Sequence, residues 1–278
     1  MRVLYASLLG LSLLPGLVAA QTLEKIQQSG EMVIGFRTDA APLSFLGDGQ
    51  PGGYTPALCL ALAPHIAQKA GLEDMDVVLE PVTTENRFEK VADGEIDLLC
   101  GAASITLSRR EIVSFSVPVY VDGTTVALKK GGPTSFEELA GSKIGVRSGT
   151  TTLEALENSL QAAGVEAEII QFDDHPSGMA ALEGDAVAAY FADQSILMNM
   201  VMGSEMEDDF KVLDRILTVE KQGLAMRRGD EDFRLAVDRG LSALFQNGTV
   251  REIFDESIPQ AQTGLALEAM FLLSPTLP

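Results

Sequence analysis

The sequence predicts an α/β protein of two lobes, each a mostly parallel sheet flanked by helices, joined by a two-stranded hinge. Three observations carry this. Strand-length apolar runs alternate with helical periodicity as β-α-β-α-β over residues 31–104, and the order recurs over residues 143–195. The segments "RFEKVADGEIDLLCGAAS" and "SGMAALEGDAVAAYFADQS" share a helix, an acidic glycine turn and a buried strand ending in small polar residues, which is an internal repeat. Two runs of β character, "VPVYVDGTTVALKKGGP" and "RILTVEKQGLAMRRGD", lead out of the first unit and back to it.

The elements follow in order. "TLEKIQQSG" is a short helix ended by Gly30, and "EMVIGFR" is an apolar strand closing on Gly35 and Arg37. "DAAPLSFLGDGQPGG" is a loop or hairpin rich in turn formers. "YTPALCLALAPHIAQKAG" is a helix that tolerates Pro56 in its first turn and stops at Gly71. "MDVVLEPV" is a strand, "TTENRFEKVADGE" a short helix and "IDLLCGAAS" a buried strand. In "SITLSRREIVSFS", Ser108 and Glu111 have capping-box spacing. That predicts a helix start with Arg109 and Arg110 in its first turn, where the helix dipole disfavours cations. The second unit runs "KIGVRSG", "TTTLEALENSLQAAG", "AEIIQFDDH", "PSGMAALEGDA" and "VAAYFADQS" as strand, helix, strand, helix, strand. "EDFRLAVDRGLSALFQNGTVREIFDESI" is a pair of amphipathic helices. The expected organisation is a leader over 1–20, a first lobe from 21–127 plus 222–278, and a second lobe over 128–221.

Composition bounds the function. The chain has 278 residues, 46% of them hydrophobic, with 20 basic and 40 acidic residues and a formal charge of −20. That balance argues against nucleic acid and anionic membrane surfaces as partners. It leaves room for an anionic ligand, because a local group of arginines outweighs a distant field. Arg2, the apolar run "VLYASLLGLSLLPGL" and the small residues ending at Ala20 read as a secretory signal. In an exported protein Cys59 and Cys100 can form one bridge, the other reading being two buried thiols. No metal-ligand spacing surrounds Cys100, and His65 and His175 are the only histidines, so neither a metal nor a cofactor is expected.

In a parallel sheet a ligand site lies beyond the carboxyl ends of the strands. The residues just past each strand are Arg37; Thr84 and Arg87; Gly101, Ala102, Ser104 and Arg109; Arg147, Ser148, Thr150 and Thr151; His175; and Asp193. Arginines and hydroxyls dominate, with one carboxylate and one histidine. "SGTT" ahead of a helix offers hydroxyls and free backbone N–H groups, a cradle for carboxylate or phosphate. Arginine adds a planar fork that grips carboxylates. Asp193 suits a ligand ammonium, or caps the helix that follows. The set describes an α-amino acid, and the surplus arginines suggest a second carboxylate. Of the two adjacent arginines only one can face the cleft; Arg109 is assigned there and Arg110 to solvent.

"IDLLCGAASITLSRREIVSFSVPVY" resembles the family 3 periplasmic solute-binding proteins of bacteria, the amino-acid receptors of ABC importers. The resembling features are the strand, Ser104, Thr106, Arg109, Phe115, Ser116 and Pro118 in this order, followed by "GVRSGTT", "AYFADQS" and "GLAMRRGD". The resemblance covers essentially the whole chain after the leader and implies the two-lobed periplasmic-binding-protein fold. It implies that Arg109, helped by Thr150, clamps a ligand α-carboxylate and that Asp193 takes the α-amino group. "GFR", "TTENR", "LLCGAAS" and "DDHPSG" look most like the glutamate/aspartate-binding branch. There the residues matching Arg37 and Arg87 hold the side-chain carboxylate, with His175 nearby. Three positions depart from the pattern: Ala102 where a hydroxyl is common, Arg147 where a small hydroxyl residue is common, and "GYTPALC" without the usual acidic residue. The expectation is a monomeric periplasmic receptor that delivers glutamate or aspartate to a membrane permease and catalyses nothing. A receptor for a neutral polar amino acid or another carboxylate, and a dehydratase-like enzyme using His175 with Asp193, are the other readings.

Overall fold

The computed structural model describes residues 22–202, 205, 207–259 and 263–276, so the leader expected over 1–20 lies outside the described residues. The first helix, α1 (Thr22–Ser29), leads into β1 (Glu31–Arg37) and a small meander of β2 (Asp39–Ala40), β3 (Ser44–Gly47) and β4 (Gln50–Gly52). Helix α2 (Tyr54–Ala70), β5 (Asp76–Val82), α3 (Arg87–Asp93) and β6 (Leu98–Leu99) complete the first β-α-β-α-β unit. The single turn α4 (Leu107–Arg110), β7 (Val113–Phe115) and β8 (Tyr120–Asp122) lead to the crossing, and β9 (Thr124–Lys129) begins the second lobe. There follow β10 (Lys143–Arg147), α5 (Thr151–Ala163), β11 (Glu168–Phe172), α6 (His175–Glu183), β12 (Ala189–Asp193), α7 (Gln194–Val201) and β13 (Phe210–Val212). The chain returns through β14 (Glu220–Gln222) and β15 (Ala225–Arg227) and ends in α8 (Glu231–Gln246), α9 (Thr249–Ser257) and α10 (Leu265–Leu273).

Local chemistry sets the ends of these elements. Helix α2 stops where Gly71 turns left-handed at φ 77°, a conformation that costs glycine nothing. Helix α6 starts where Asp174 accepts from the Ser177 N–H at 2.6 Å with Pro176 in the first turn. Helix α8 starts the same way, with Asp230 accepting from the Phe233 N–H at 3.1 Å.

Two five-stranded sheets result, in the orders β5-β1-β6-β15-β7 and β11-β10-β12-β9-β13. In each, three strands are parallel and the fourth runs antiparallel to them. The order second-first-third is the same in both lobes, and in each the antiparallel fourth strand adjoins the hinge. The hinge is the antiparallel pair of β8 and β14, with Asp122 opposite Glu220 and Tyr120 opposite Gln222. The expected lobe boundary after residue 127 falls inside β9, which pairs only with β12 and β13. The outward crossing is therefore earlier, at Gly123. A Cβ there would stand 2.3 Å from the Thr218 carbonyl oxygen, so the crossing strands approach too closely for a side chain.

The first core packs Met32, Ile34, Leu58, Leu62, Leu98, Phe233 and Leu241 between sheet and helices, and the second lobe buries Ile144, Val146, Leu156 and Phe191. Cys59 on α2 and Cys100 just past β6 are bridged, both fully buried, with Cα atoms 6.4 Å apart. Two elements differ from expectation. The strand over 96–104 pairs in the ladder only at Leu98–Leu99, because beyond it the chain leaves the sheet for the hinge, where Ser104 bridges to Gln222. Helix α10, which the amphipathic reading did not include, is apolar and packs Phe271 edge-on against Phe254 at 5.6 Å.

The bridge closes a loop of 41 residues, for which chain entropy gives roughly 3–4 kcal/mol. Replacing both cysteines by alanine is expected to lower the unfolding free energy in urea by that order, with the fold retained.

Candidate functional site

Each strand of the two parallel sets delivers its carboxyl-end residues to the gap between the lobes. Arg37, Arg87, Ala102, Ser104, Arg109, Thr150, His175 and Asp193 line one void there. Thr151, Thr152 and Ile196 also line it. Thr151 ends the "SGTT" run, and Thr152 extends it by one residue. Ile196 stands one helical turn past Asp193, a spacing that signals a shared face but not which face. Thr84 and Arg147 do not line the void. They bond across the gap beside it.

Arg109 reaches the void by a different local route from the one its sequence suggests. The cap of α4 is Thr106, whose hydroxyl accepts from the Arg109 N–H at 3.1 Å, and the Ser108–Glu111 capping box does not form. The turn is only four residues long, so Arg109 folds back. Its Nη1 donates to the Ser104 carbonyl at 3.0 Å, and its guanidinium lies 5.1 Å from the Phe88 ring centre. Among the described residues nothing accepts from its Nε–Nη2 edge. Arg110 is exposed.

Arg37 and Arg87 are almost wholly buried. Asp39 accepts from Arg37 at Nε and Nη2, at 3.0 and 2.7 Å, leaving Nη1 for the void. Arg87 donates from Nη1 to the Ala102 carbonyl at 2.8 Å and from Nη2 to the Gly149 carbonyl at 3.4 Å, while its Nε is buried without a partner. Thus Ala102 contributes a backbone oxygen where relatives of the resembling pattern have a hydroxyl. Burial, then the neighbouring Arg109 and Arg37 charges, push the Arg87 guanidinium well below its ordinary value, and burial lowers Arg109. Such crowding of like charge out of water is costly unless an anion joins it.

The acidic side of the void is Asp193. It occupies the cap position of α7 but makes no capping bond, so the capping role considered for it is absent. Its Oδ2 instead accepts from Gln222 Nε2 at 2.9 Å. Burial and then Glu220 raise its carboxyl above the usual range against the pull of the arginines, and Asp122, buried in the hinge, is raised by burial and then by Asp193. Thr150 holds the cap position of helix α5 without a side-chain capping bond, and Thr150, Thr151 and Thr152 at the start of that helix line the void. The Thr150 hydroxyl donates to the Arg147 carbonyl at 2.8 Å, and Thr151 bonds Glu220 at 2.6 Å and Ser104 at 3.3 Å.

His175 lies 3.0 Å from the Tyr190 hydroxyl through Nδ1, and its Nε2 is buried without a partner. No other described group accepts from Tyr190, so its O–H donates to Nδ1 and the neutral ring carries its proton on Nε2. Gly178 makes this contact feasible, because a Cβ there would stand 2.0 Å from the Tyr190 ring. Burial, reinforced by Arg37, pushes the His175 imidazole from 6.5 down to about 3. The unfolded chain then takes up a proton that the folded ring refuses. The stability contributed by neutral His175 is complete above about 6.5 and is lost progressively as pH falls toward 3. Nitrogen chemical shifts of the ring at pH 5 are expected to show the neutral Nε2–H tautomer, and a charged imidazolium there would contradict this.

Residues 32–260 match the bacterial extracellular solute-binding proteins, family 3. A relative from Pseudomonas aeruginosa, named an L-glutamate/L-aspartate-binding protein, is 28% identical over 256 residues, covering 91% of this chain and 85% of its own. A glutamate/aspartate import solute-binding protein of Escherichia coli is 27% identical over 240 residues, covering 86% of this chain and 80% of its own. The crystal structure of an ancestral amino acid-binding protein, described as a precursor of cyclohexadienyl dehydratase, superposes with a TM-score of 0.75 at 25% identity, over 86% of this chain and all of that one. With the family match spanning both lobes and the hinge, the chain belongs to the bacterial extracellular solute-binding proteins, family 3.

Proposed function

We propose that the protein captures an acidic α-amino acid, glutamate or aspartate, between its lobes in the periplasm and delivers it to the membrane permease of an ABC importer. The observation that carries this reading is the imbalance of the void: the buried guanidinium groups of Arg37 and Arg87, the half-buried one of Arg109 and a neutral N–H donor line it with one carboxylate, Asp193. A ligand with two carboxylates and one ammonium supplies the missing charges. The unused fork of Arg109 and the uncapped start of α5 are suited to the α-carboxylate. Asp193 is suited to the ammonium. Arg37 Nη1, Arg87 Nε and His175 Nε2 are suited to the distal carboxylate. The names of the Pseudomonas and Escherichia relatives point the same way. The role assigned to His175 is that of a neutral donor in ligand binding, without a turnover step, and the protein acts as a monomer that closes on its ligand.

Isothermal titration with glutamate and aspartate tests the reading. Arg109→Ala is expected to weaken binding at least about 100-fold, equivalent to about 2.7 kcal/mol. Arg110→Ala is expected to leave it unchanged. Arg37→Ala and Arg87→Ala should each reduce affinity for the dicarboxylates. If neither does, the ligand is a neutral amino acid.

Asp193 must be ionised to hold an ammonium, and its raised carboxyl takes up a proton sooner than an ordinary aspartate. Ligand binding therefore favours proton release, and affinity should fall as pH is lowered from 7.5 to 5.5. Asp193→Asn should abolish that pH dependence along with most of the affinity.

A further inference from the structure

Arg147 ends β10 in the second lobe and is 3% exposed, yet it does not line the void. Its Nε donates to Asp39 Oδ2 at 3.0 Å, and its Nη1 donates to Glu85 Oε1 at 2.9 Å. Both carboxylates belong to the first lobe, Asp39 just past β1 and Glu85 between β5 and α3. One guanidinium of the second lobe thus stands between two carboxylates of the first. Neighbouring polar groups follow the same line. The Thr84 hydroxyl, 2.6 Å from Glu85 Oε1, also stands 3.1 Å from the Ser148 carbonyl, and Ser148 Oγ donates to Glu85 at 3.1 Å. Burial works to raise both carboxyls, but Arg37 and Arg147 outweigh it at Asp39, and Thr84 and Arg147 do so at Glu85, holding both below the usual range.

We infer that Arg147 is a positioning residue for capture: a clasp that fastens the second lobe to the first and thereby slows ligand release. Three features support this. The clasp residues lie outside the void, so the free energy they add to closure does not depend on which ligand is held. They also sit away from the hinge in the strand order, just past β1 and β5 and at the end of β10, whereas the hinge continues into β9 and β15. An attraction remote from the axis of opening must be broken early when the lobes part. Finally, the clasp is joined to the site. Asp39 takes Arg147 on one oxygen and Arg37 on the other, so the same carboxylate that fastens the lobes fixes the edge of Arg37 and leaves Nη1 to the ligand.

A population argument gives the expected effect. Anything that favours the closed form regardless of ligand raises apparent affinity in proportion to the closed fraction, and it acts mainly on release. Arg147→Ala should speed glutamate dissociation about tenfold in stopped flow while association changes little. Arg147→Lys, which keeps one charge between Asp39 and Glu85, should recover part of the loss. Small-angle scattering of the ligand-free protein should show a larger radius of gyration for Arg147→Ala than for wild type, with the difference removed by saturating glutamate. An Arg147→Ala protein with wild-type radius and wild-type dissociation overturns the clasp. If that variant does not fold, Glu85→Gln carries the test, since Glu85 is half exposed, and unchanged radius and dissociation in it overturn the proposal. The scattering comparison of ligand-free proteins needs no assumption about the ligand. Failure of glutamate to bind wild type would remove the proposed substrate and leave the clasp to be decided by scattering alone.

Discussion

Arg37 and Arg87, both buried, and the half-buried Arg109 bring three guanidinium charges into one small space, and that crowding is the constraint around which the two lobes are arranged. Guanidinium groups do not escape the conflict by losing protons, because their ordinary values lie so high. They have to be met by backbone oxygens, by fixed carboxylates or by an anion from outside. The protein uses the first two only in part. Ser104 and Ala102 supply carbonyls, and Asp39 neutralises one edge of Arg37, but Arg87 Nε remains unpartnered and one fork of Arg109 stays open. The chain as a whole carries a charge of −20, so the positive character of the cleft is a local construction held against the general field.

The repeat makes that construction feasible. Two sheets of the same strand order point the carboxyl ends of their parallel strands at each other across the β8–β14 hinge. Side chains far apart in sequence then share one void, and the free start of α5 opposes Arg109. The hinge itself is acidic: Asp122, Asp193 and Glu220 stand close enough for the first two carboxyls to be raised. Positive charge thus gathers at the body of the cleft and negative charge toward the hinge, which is the polarity an α-amino dicarboxylate would present in reverse. His175 adds a donor without adding charge, because burial and Arg37 hold its ring neutral.

Much of this architecture was legible in the sequence because it follows from periodicity. The alternation of apolar runs and amphipathic helices gave the succession of strands and helices in each unit, and position after a strand gave the rim of the cleft. Rim position does not say which way a side chain turns. Thr84 and Arg147 stand at the right strand ends but point to partners on the other lobe, and the decisive partners Asp39 and Glu85 carried no signal beyond being ordinary loop acids. The capping assignment failed for a related reason. Thr106 and Ser108 are both able to cap, and tertiary packing of Arg109 over Phe88 selects Thr106. The lobe boundary was missed by a few residues because β9 has the same apolar character as the crossing segment before it. Helix α10 was missed because its sequence is apolar but for Glu268 and has no amphipathic period.

The central claim is that the void is completed by a ligand's second carboxylate. Glutamate and glutamine differ at that group alone and match in size, so their relative affinity for the wild-type protein, measured by titration calorimetry at neutral pH, is the most direct test. A distal carboxylate meeting Arg37, Arg87 and His175 predicts that glutamate binds at least about 100-fold more tightly than glutamine. Equal affinities, or a preference for glutamine, would contradict the account.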